Sequence, residues 1–141
     1  MTRVVLDTNI IVSAYLNQDG LPFHIFKLGL ARAIRICVSE PVLAEYQELL
    51  HRKSYPLDRR RAGLLLRTIR AVSDIVKPAG KIEAARDPDD NMFLECAEAA
   101  KAHYLITGNS RDFPKRWKYT SVVTPSTFVD FWTDTHRSSG M

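Results

Sequence analysis

The sequence predicts an α/β fold, a mostly parallel sheet with helices packed on both faces. Three observations carry this expectation. Val4-Val5-Leu6 is aliphatic throughout, without polar alternation, which is how a strand buried on both faces reads. Strand-like segments alternate with segments of helical period along the chain, the pattern of βαβ units. A length of 141 residues gives a single domain with room for a real core.

Each element has its own local reason. The first strand ends abruptly in Asp7-Thr8-Asn9, residue types that suit strand ends and helix caps. A helix follows to Leu16, and Asn17-Gln18-Asp19-Gly20 is a turn cluster. Pro22 suits the first position of a second helix carrying Phe23, Phe26 and Leu30. Ile34 to Val38 alternates as a second strand, and Ser39-Glu40-Pro41 starts a helix running to about Lys53. Its apolar stripe is Val42, Leu43, Tyr46, Leu49 and Leu50, with Glu45 at or within the stripe's edge. Ser54-Tyr55-Pro56 breaks that helix. Asp58 to Val76 reads as one long helix, apolar at Leu65, Ile69, Val72 and Val76 and basic on its other face. Lys77 to Lys81 is a short connector.

In Asp87-Pro88-Asp89-Asp90, Asp87 suits an N-cap, Pro88 the first helical position and Asp90 the third. Asp90 also precedes Phe93, Leu94 and Ala97 by three, four and seven residues, which sets it on the core-facing stripe as well as near the helix dipole. That helix extends to about Ala102. His103 to Thr107 is a short strand ending in the polar loop Gly108 to Pro114. Ser121 to Thr124 is the last strand, and Pro125-Ser126-Thr127 opens a helix with Phe128, Phe131 and Trp132 apolar. The polar stretch from Thr133 onward is expected to fray, giving a domain over 1–133 and a flexible tail over 134–141.

Composition narrows the class. Hydrophobic content of 45% and charged content of 26% are those of a soluble globular chain. No apolar run approaches the roughly 20 residues of a membrane helix, and Asp7 and Asn9 interrupt any signal-peptide pattern. No membrane association and a cytoplasmic location are expected. Cys37 and Cys96 sit in apolar segments without CxxC spacing and read as reduced core residues. A net charge of +4 leans toward an acidic partner such as nucleic acid.

The acids then become the chemical question. Asp7 and the Asn109–Asp112 loop end strands, and Glu45 and Asp90 lie in the first turns of helices. In a parallel sheet, such residues meet at one carboxyl edge. Clustered carboxylates raise one another's pKa, and a hard divalent cation relieves the repulsion. Such a cation assists phosphodiester hydrolysis. There is no GxxxxGK[ST] loop, no HExxH and no Cys/His zinc cluster. Each acid also has a plainer use: Asp7, Asp87 and Asp90 as caps, and Glu45 as a stripe-edge residue reaching solvent or an Arg.

Four stretches carry a resemblance. Val4-Val5-Leu6-Asp7-Thr8-Asn9-Ile10, Ser39-x-x-x-Leu43-x-Glu45, Asp87-x-x-Asp90-Asn91-x-x-Leu94-x-x-Ala97 and Leu105-Ile106-Thr107-Gly108-Asn109-x-x-Asp112-Phe113 resemble the motifs of PIN domains. They are most similar to the VapC-type toxins of toxin–antitoxin pairs. The resemblance runs from Thr2 to about Thr133 and rests on four motifs in order rather than on any one. It implies a three-layer α/β/α sandwich, an Mg²⁺- or Mn²⁺-dependent ribonuclease, an RNA substrate, a cognate antitoxin protein and a homodimer. Asp7, Glu45 and Asp90 match the core acids and, with Asp112, become the expected metal-holding and catalytic set. Many PIN toxins carry Asp where this chain has Asn109, so that position offers a carbonyl oxygen without charge. Asn9, Thr107, Asn109, Lys115 and Arg116 are the expected substrate contacts, with Arg59, Arg60 and Lys118 as further cations for an RNA backbone.

Two other classes remain open from the sequence. One is a non-catalytic RNA- or protein-binding module on the same fold, suggested by Asn109. The other is a phosphoryl-transfer enzyme with Asp7 as nucleophile, which the Asp7-Thr8-Asn9 stretch disfavours because it lacks the second Asp of a DxD motif.

Overall fold

The computed structural model describes residues 1–52 and 58–139, with side chains of the last helix described to residue 136. The helix break expected at Ser54-Tyr55-Pro56 lies outside the described residues. In chain order the elements are β1 (Arg3–Leu6), α1 (Thr8–Leu16), α2 (Leu21–Leu30), β2 (Arg35–Val38), α3 (Glu40–Leu50), α4 (Arg59–Val72) and β3 (Asp74–Ile75). They continue with α5 (Asn91–Ala100), β4 (Tyr104–Ile106), β5 (Arg116–Trp117), β6 (Thr120–Val123) and α6 (Pro125–Ser139). Single 3-10 turns occupy Pro88–Asp90 and Ser110–Asp112.

The six strands form one sheet in the order β3-β2-β1-β4-β6-β5. Every pairing is parallel except β5 with β6. Val4, Val5 and Leu6 of β1 are fully buried, so the central strand is covered on both faces. That is the three-layer α/β arrangement, with helices flanking a mostly parallel sheet. Burying each such side chain contributes roughly 1.5–3 kcal/mol, which is why β1 organises the core. The chain travels outward from β1 through β2 to β3, then returns through α5 to the other side of β1. The strand order therefore reverses between β1 and β4, and the carboxyl ends of these two strands form the switch point at which open α/β sheets place their ligands.

Several expectations are corrected. Asp58 to Val76 is not one helix. Asp58 caps α4 by accepting the Arg60 N–H at 3.0 Å, but Ser73 is extended at φ −102°, ψ 154°. The Val76 N–H donates to the Val38 carbonyl at 2.8 Å, and Asp74 pairs with Arg3 at 2.7 Å and Arg35 at 3.7 Å. The exposed edge of β2 and two cations thus take residues that helical periodicity would have kept. The β5 edge strand escaped the sequence for the same reason, since two residues carry no period of their own. Leu30 is exposed, and the buried face of α2 is Ile25, Phe26 and Gly29. The helix α6 continues to Ser139, through much of the stretch expected to fray.

Gly29 shows how closely α2 sits on the sheet. A Cβ built there runs into the Cδ1 of Ile36 and lies 2.7 Å from its Cγ1. Gly29→Ala is expected to destabilise the protein by about 1–3 kcal/mol through overpacking. Ile36→Val, which deletes Cδ1, should recover part of that loss. Chemical denaturation of the two single variants and the double variant checks this as a cycle; strict additivity would contradict it.

Candidate functional site

The site grows from the end of β1. The Asp7 N–H donates to the Ile106 carbonyl at 2.9 Å, so the first residue past β1 stays in register with β4. Its backbone then turns into α1 as the N-cap. One carboxylate oxygen accepts the Thr8 N–H at 2.7 Å. The other accepts the Thr107 hydroxyl at 2.7 Å and, more weakly, the Asn9 amide at 3.4 Å. The cap role and the site role therefore belong to the same carboxylate. Asp7 is only 7% exposed. Burial pushes its pKa above the usual carboxylate value, hydrogen bonds from Thr107 and Thr8 oppose that shift, and the charge of Asp112 adds to it.

Thr107 and Asn9 tie the two strand ends together. The fully buried Thr107 hydroxyl donates to Asp7 and accepts the Asn109 N–H at 3.0 Å. The Asn9 carbonyl oxygen accepts the Gly108 N–H at 3.2 Å. Asn109 itself is exposed and contributes this backbone contact.

Glu45 arrives on α3, in its second turn, a turn later than the sequence placed it. Ser39 caps the helix by accepting the Val42 N–H at 3.3 Å. The fully buried Tyr46 donates its hydroxyl to the Leu6 carbonyl, fastening α3 to the carboxyl end of β1. Glu45, its neighbour, is half-buried. Its pKa is raised by burial first, then by the charges of Glu48, Asp89 and Asp7, with Arg52 opposing.

Asp90 is corrected in detail. Asp87 does cap, accepting the Asp89 N–H at 3.0 Å, but what it caps is the 3-10 turn Pro88–Asp90. Asp90 is then the N-cap of α5 rather than its third residue, and its side chain makes no capping hydrogen bond. Its carboxylate is left for other work. Burial, then Asp7, Asp87, Asp112 and Asp89, push its pKa from 3.8 to about 6. Those four neighbours are all acids. Asp112 ends the 3-10 turn Ser110–Asp112, half-buried, and its carbonyl accepts the Arg86 N–H at 2.8 Å.

Asp7 is the common neighbour at the sheet's carboxyl edge: its charge bears on Glu45 and on Asp90, and Asp112 bears on Asp7 and Asp90, while Glu45 is joined to the others through Asp7 and Asp89. Among the described residues, no three acids, histidines or cysteines gather at direct metal-ligand spacing. Lys115 is exposed beside the Ser110–Asp112 turn. Arg116 and Lys118 stand further off: Arg116 lies on edge strand β5, separated from β1 by β6 and β4. Its guanidinium donates to the Lys118 carbonyl at 3.1 Å, and Lys118 pairs with Glu98. Arg59 and Arg60 are exposed at the start of α4, and Cys37 and Cys96 are buried free thiols.

Two positioning residues were missed from the sequence, Tyr46 and Asn91. Tyr46 was read only as part of an apolar stripe. Asn91 is 7% exposed, and its carbonyl oxygen accepts the Ala84 N–H at 3.1 Å and the Ala85 N–H at 2.8 Å. A polar residue three before Leu94 on a core-facing stripe was the available signal. Asn91→Ala strips both donors of their acceptor, and about 1–3 kcal/mol of stability should be lost. Hydrogen exchange localised to 82–86 checks the site of the loss; unchanged protection there would contradict it.

Fold and site together define an α/β protein with acidic side chains set around a near-buried Asp7 at the switch point of its sheet. The chain belongs to the PIN domain family: residues 3–111 match it, a span that holds Asp7, Glu45 and Asp90 and stops just short of Asp112. An uncharacterized protein of Methanocaldococcus jannaschii, MJ1680, is 31% identical over 140 residues, covering 91% of this chain and 90% of its own. Among solved structures, a chain of VapBC2 from Rickettsia felis, crystallised bound to a DNA fragment from their promoter, has the same fold. The TM-score is 0.57 at 19% identity, over 87% of this chain and 98% of that one.

Proposed function

We propose that this protein is a divalent-metal-dependent endoribonuclease that hydrolyses RNA phosphodiester bonds, and that it is the toxin of a toxin–antitoxin pair. The observation that carries this is the near-buried Asp7 carboxylate at the β1/β4 switch point, sensed by Glu45 and Asp90 and itself sensing Asp112. Membership of the PIN family supports the nuclease class, and the VapBC2 likeness supports the toxin reading.

The donor set fits Mg²⁺ or Mn²⁺. All four acids offer hard oxygens, and their mutual repulsion is what a cation would relieve. Mg²⁺ uses one or two direct carboxylates and keeps several waters, so acids too far apart for direct joint ligation still suit it. Asp7, Glu45, Asp90 and Asp112 would hold it, directly or through water. When bound, it supplies a more acidic water and neutralises charge on the phosphate. The protein's own part is orientation. Thr107 and Asn9 fix the Asp7 carboxylate, Tyr46 fixes the helix that carries Glu45, and the uncapped geometry of Asp90 leaves its oxygens available. Asn9, Asn109 and Lys115 border the place where an RNA strand would lie, whereas Thr107, expected as a substrate contact, is fully buried behind Asp7 and acts by positioning it. A cytoplasmic location, a cognate antitoxin and a homodimer belong to the same reading.

A second reading, a non-catalytic RNA- or protein-binding module, is favoured by the neutral Asn109 and by the spacing of the acids. The test is a fluorescent RNA incubated with the purified protein in Mn²⁺ or in EDTA. Cleavage in Mn²⁺ that EDTA abolishes is expected. RNA binding indifferent to EDTA, with no cleavage in Mn²⁺, would establish the binding module instead.

A further inference from the structure

Beside the acids lies a groove from which the nuclease reading uses Lys115 alone. The groove, of about 500 Å³, runs along the carboxyl end of β6, with Ser110, Arg111, Lys115, Thr124 and Thr127 on its walls and Phe113 among its apolar lining. Phe113 is buried and anchors the 3-10 turn Ser110–Asp112 against the sheet. That turn divides two environments. Asp112 acts electrostatically on Asp7 and Asp90, while its neighbour Arg111 lines the groove. Arg111 and Lys115 are exposed, and neither has an ion-pair partner among the described residues. The groove and the acids meet at the Ser110–Asp112 turn, and β6, which forms the groove's floor, pairs with β4, the strand that ends at Thr107.

We propose that this groove is a subsite for the backbone phosphate next to the scissile one, held by Arg111 and Lys115 with help from the Ser110 and Thr127 hydroxyls. The proposal rests on the nuclease reading for its substrate. A strand whose scissile phosphate sits at the acids must leave across the protein surface. On the β6 side it meets two uncommitted cations and several hydroxyls, the groups that position phosphates. The acids alone would repel the rest of the chain. The groove therefore gives the bound strand a direction, with at least one nucleotide required on this side of the cut.

The experiment measures binding of a fluorescent single-stranded RNA by anisotropy in EDTA, across a salt series, and cleavage separately in Mn²⁺. Arg111→Ala combined with Lys115→Ala should weaken binding about tenfold or more. It should also flatten the slope of log K against log salt by about 1.4, at roughly 0.7 per cation on a single strand. Lys27→Ala, which removes an exposed cation near the other end of the sheet, should do neither. Cleavage by the double variant should show a raised KM, recovered as RNA is raised. Unchanged affinity and slope, or no RNA binding by the parent protein, would overturn the subsite. Loss of binding to an acidic peptide with RNA binding intact would overturn it in favour of a protein partner. Normal RNA binding by the parent without cleavage would remove the nuclease reading and leave the groove standing.

Discussion

Asp7→Asn is expected to leave the fold intact and to lower metal-dependent RNA cleavage by about three orders of magnitude, roughly 4 kcal/mol of transition-state stabilisation. The fold should survive because the capping oxygen is retained: the amide carbonyl can still accept the Thr8 N–H now held at 2.7 Å. The amide nitrogen replaces the oxygen that accepts the Thr107 hydroxyl, and Thr107 can rotate to accept from it instead. A neutral group in this near-buried place also removes the burial penalty that raises the Asp7 pKa. What disappears is a charge fixed at the switch point by two strand ends and a helix cap. The check is a single-turnover cleavage assay alongside circular dichroism. Undiminished cleavage by a folded variant would remove Asp7 from the mechanism.

Asp90→Asn is expected to move stability and activity in opposite directions. Asp90 has its pKa pushed up to about 6 from 3.8, by burial and then by Asp7, Asp87, Asp112 and Asp89. The folded protein therefore holds that proton more tightly than the unfolded chain. Its stabilising contribution is complete below about 3.8 and is lost as pH rises through about 6. At neutral pH the ionised side chain is a liability in the absence of a cation. Removing it should stabilise the protein by about 1 kcal/mol once solvent screening of this half-exposed group is allowed for, a rise in Tm of a few degrees. Cleavage should fall at least a hundredfold, about 2.7 kcal/mol, because one of the cation's anchors is gone. Thermal melts of both proteins in EDTA from pH 4 to pH 8 test the sign. The variant should be the more stable at pH 8 and the difference should vanish near pH 4. A parent protein that is the more stable at neutral pH would mean that Asp90 has a favourable partner. Added Mg²⁺ should raise the Tm of the parent more than that of the variant.

These opposed signs fit a site whose residues are arranged for a ligand rather than for the resting protein. The caps show the division. Asp87 and Asp58 spend their carboxylates on helix starts. Asp7 spends one oxygen there and keeps the other at Thr107. Asp90 stands at a cap position and makes no cap bond. The sequence alone could not separate these roles, because Asp before a helix looks the same in each case.

The sequence by itself determined the central strand, the buried helix stripes and the fold class. Val4-Val5-Leu6, Val42 with Leu43 and Tyr46, and Phe93 with Leu94 and Ala97 are local patterns whose period states which faces are buried. It also marked Asp7, Glu45, Asp90 and Asp112, because a carboxylate at a strand end or on an apolar stripe is conspicuous. Only the tertiary structure decided the rest. The β3 and β5 strands exist because a neighbour's edge accepts two residues, and Asp74 because Arg3 and Arg35 hold it. The Asp7–Thr107 bond joins residues a hundred positions apart, and the pairing of β1 with β4 sets Asp7 beside the strand end that leads on to Asp112. Periodicity records what each segment buries; which segments lie side by side follows from pairing between distant parts of the chain, and that has no period to read.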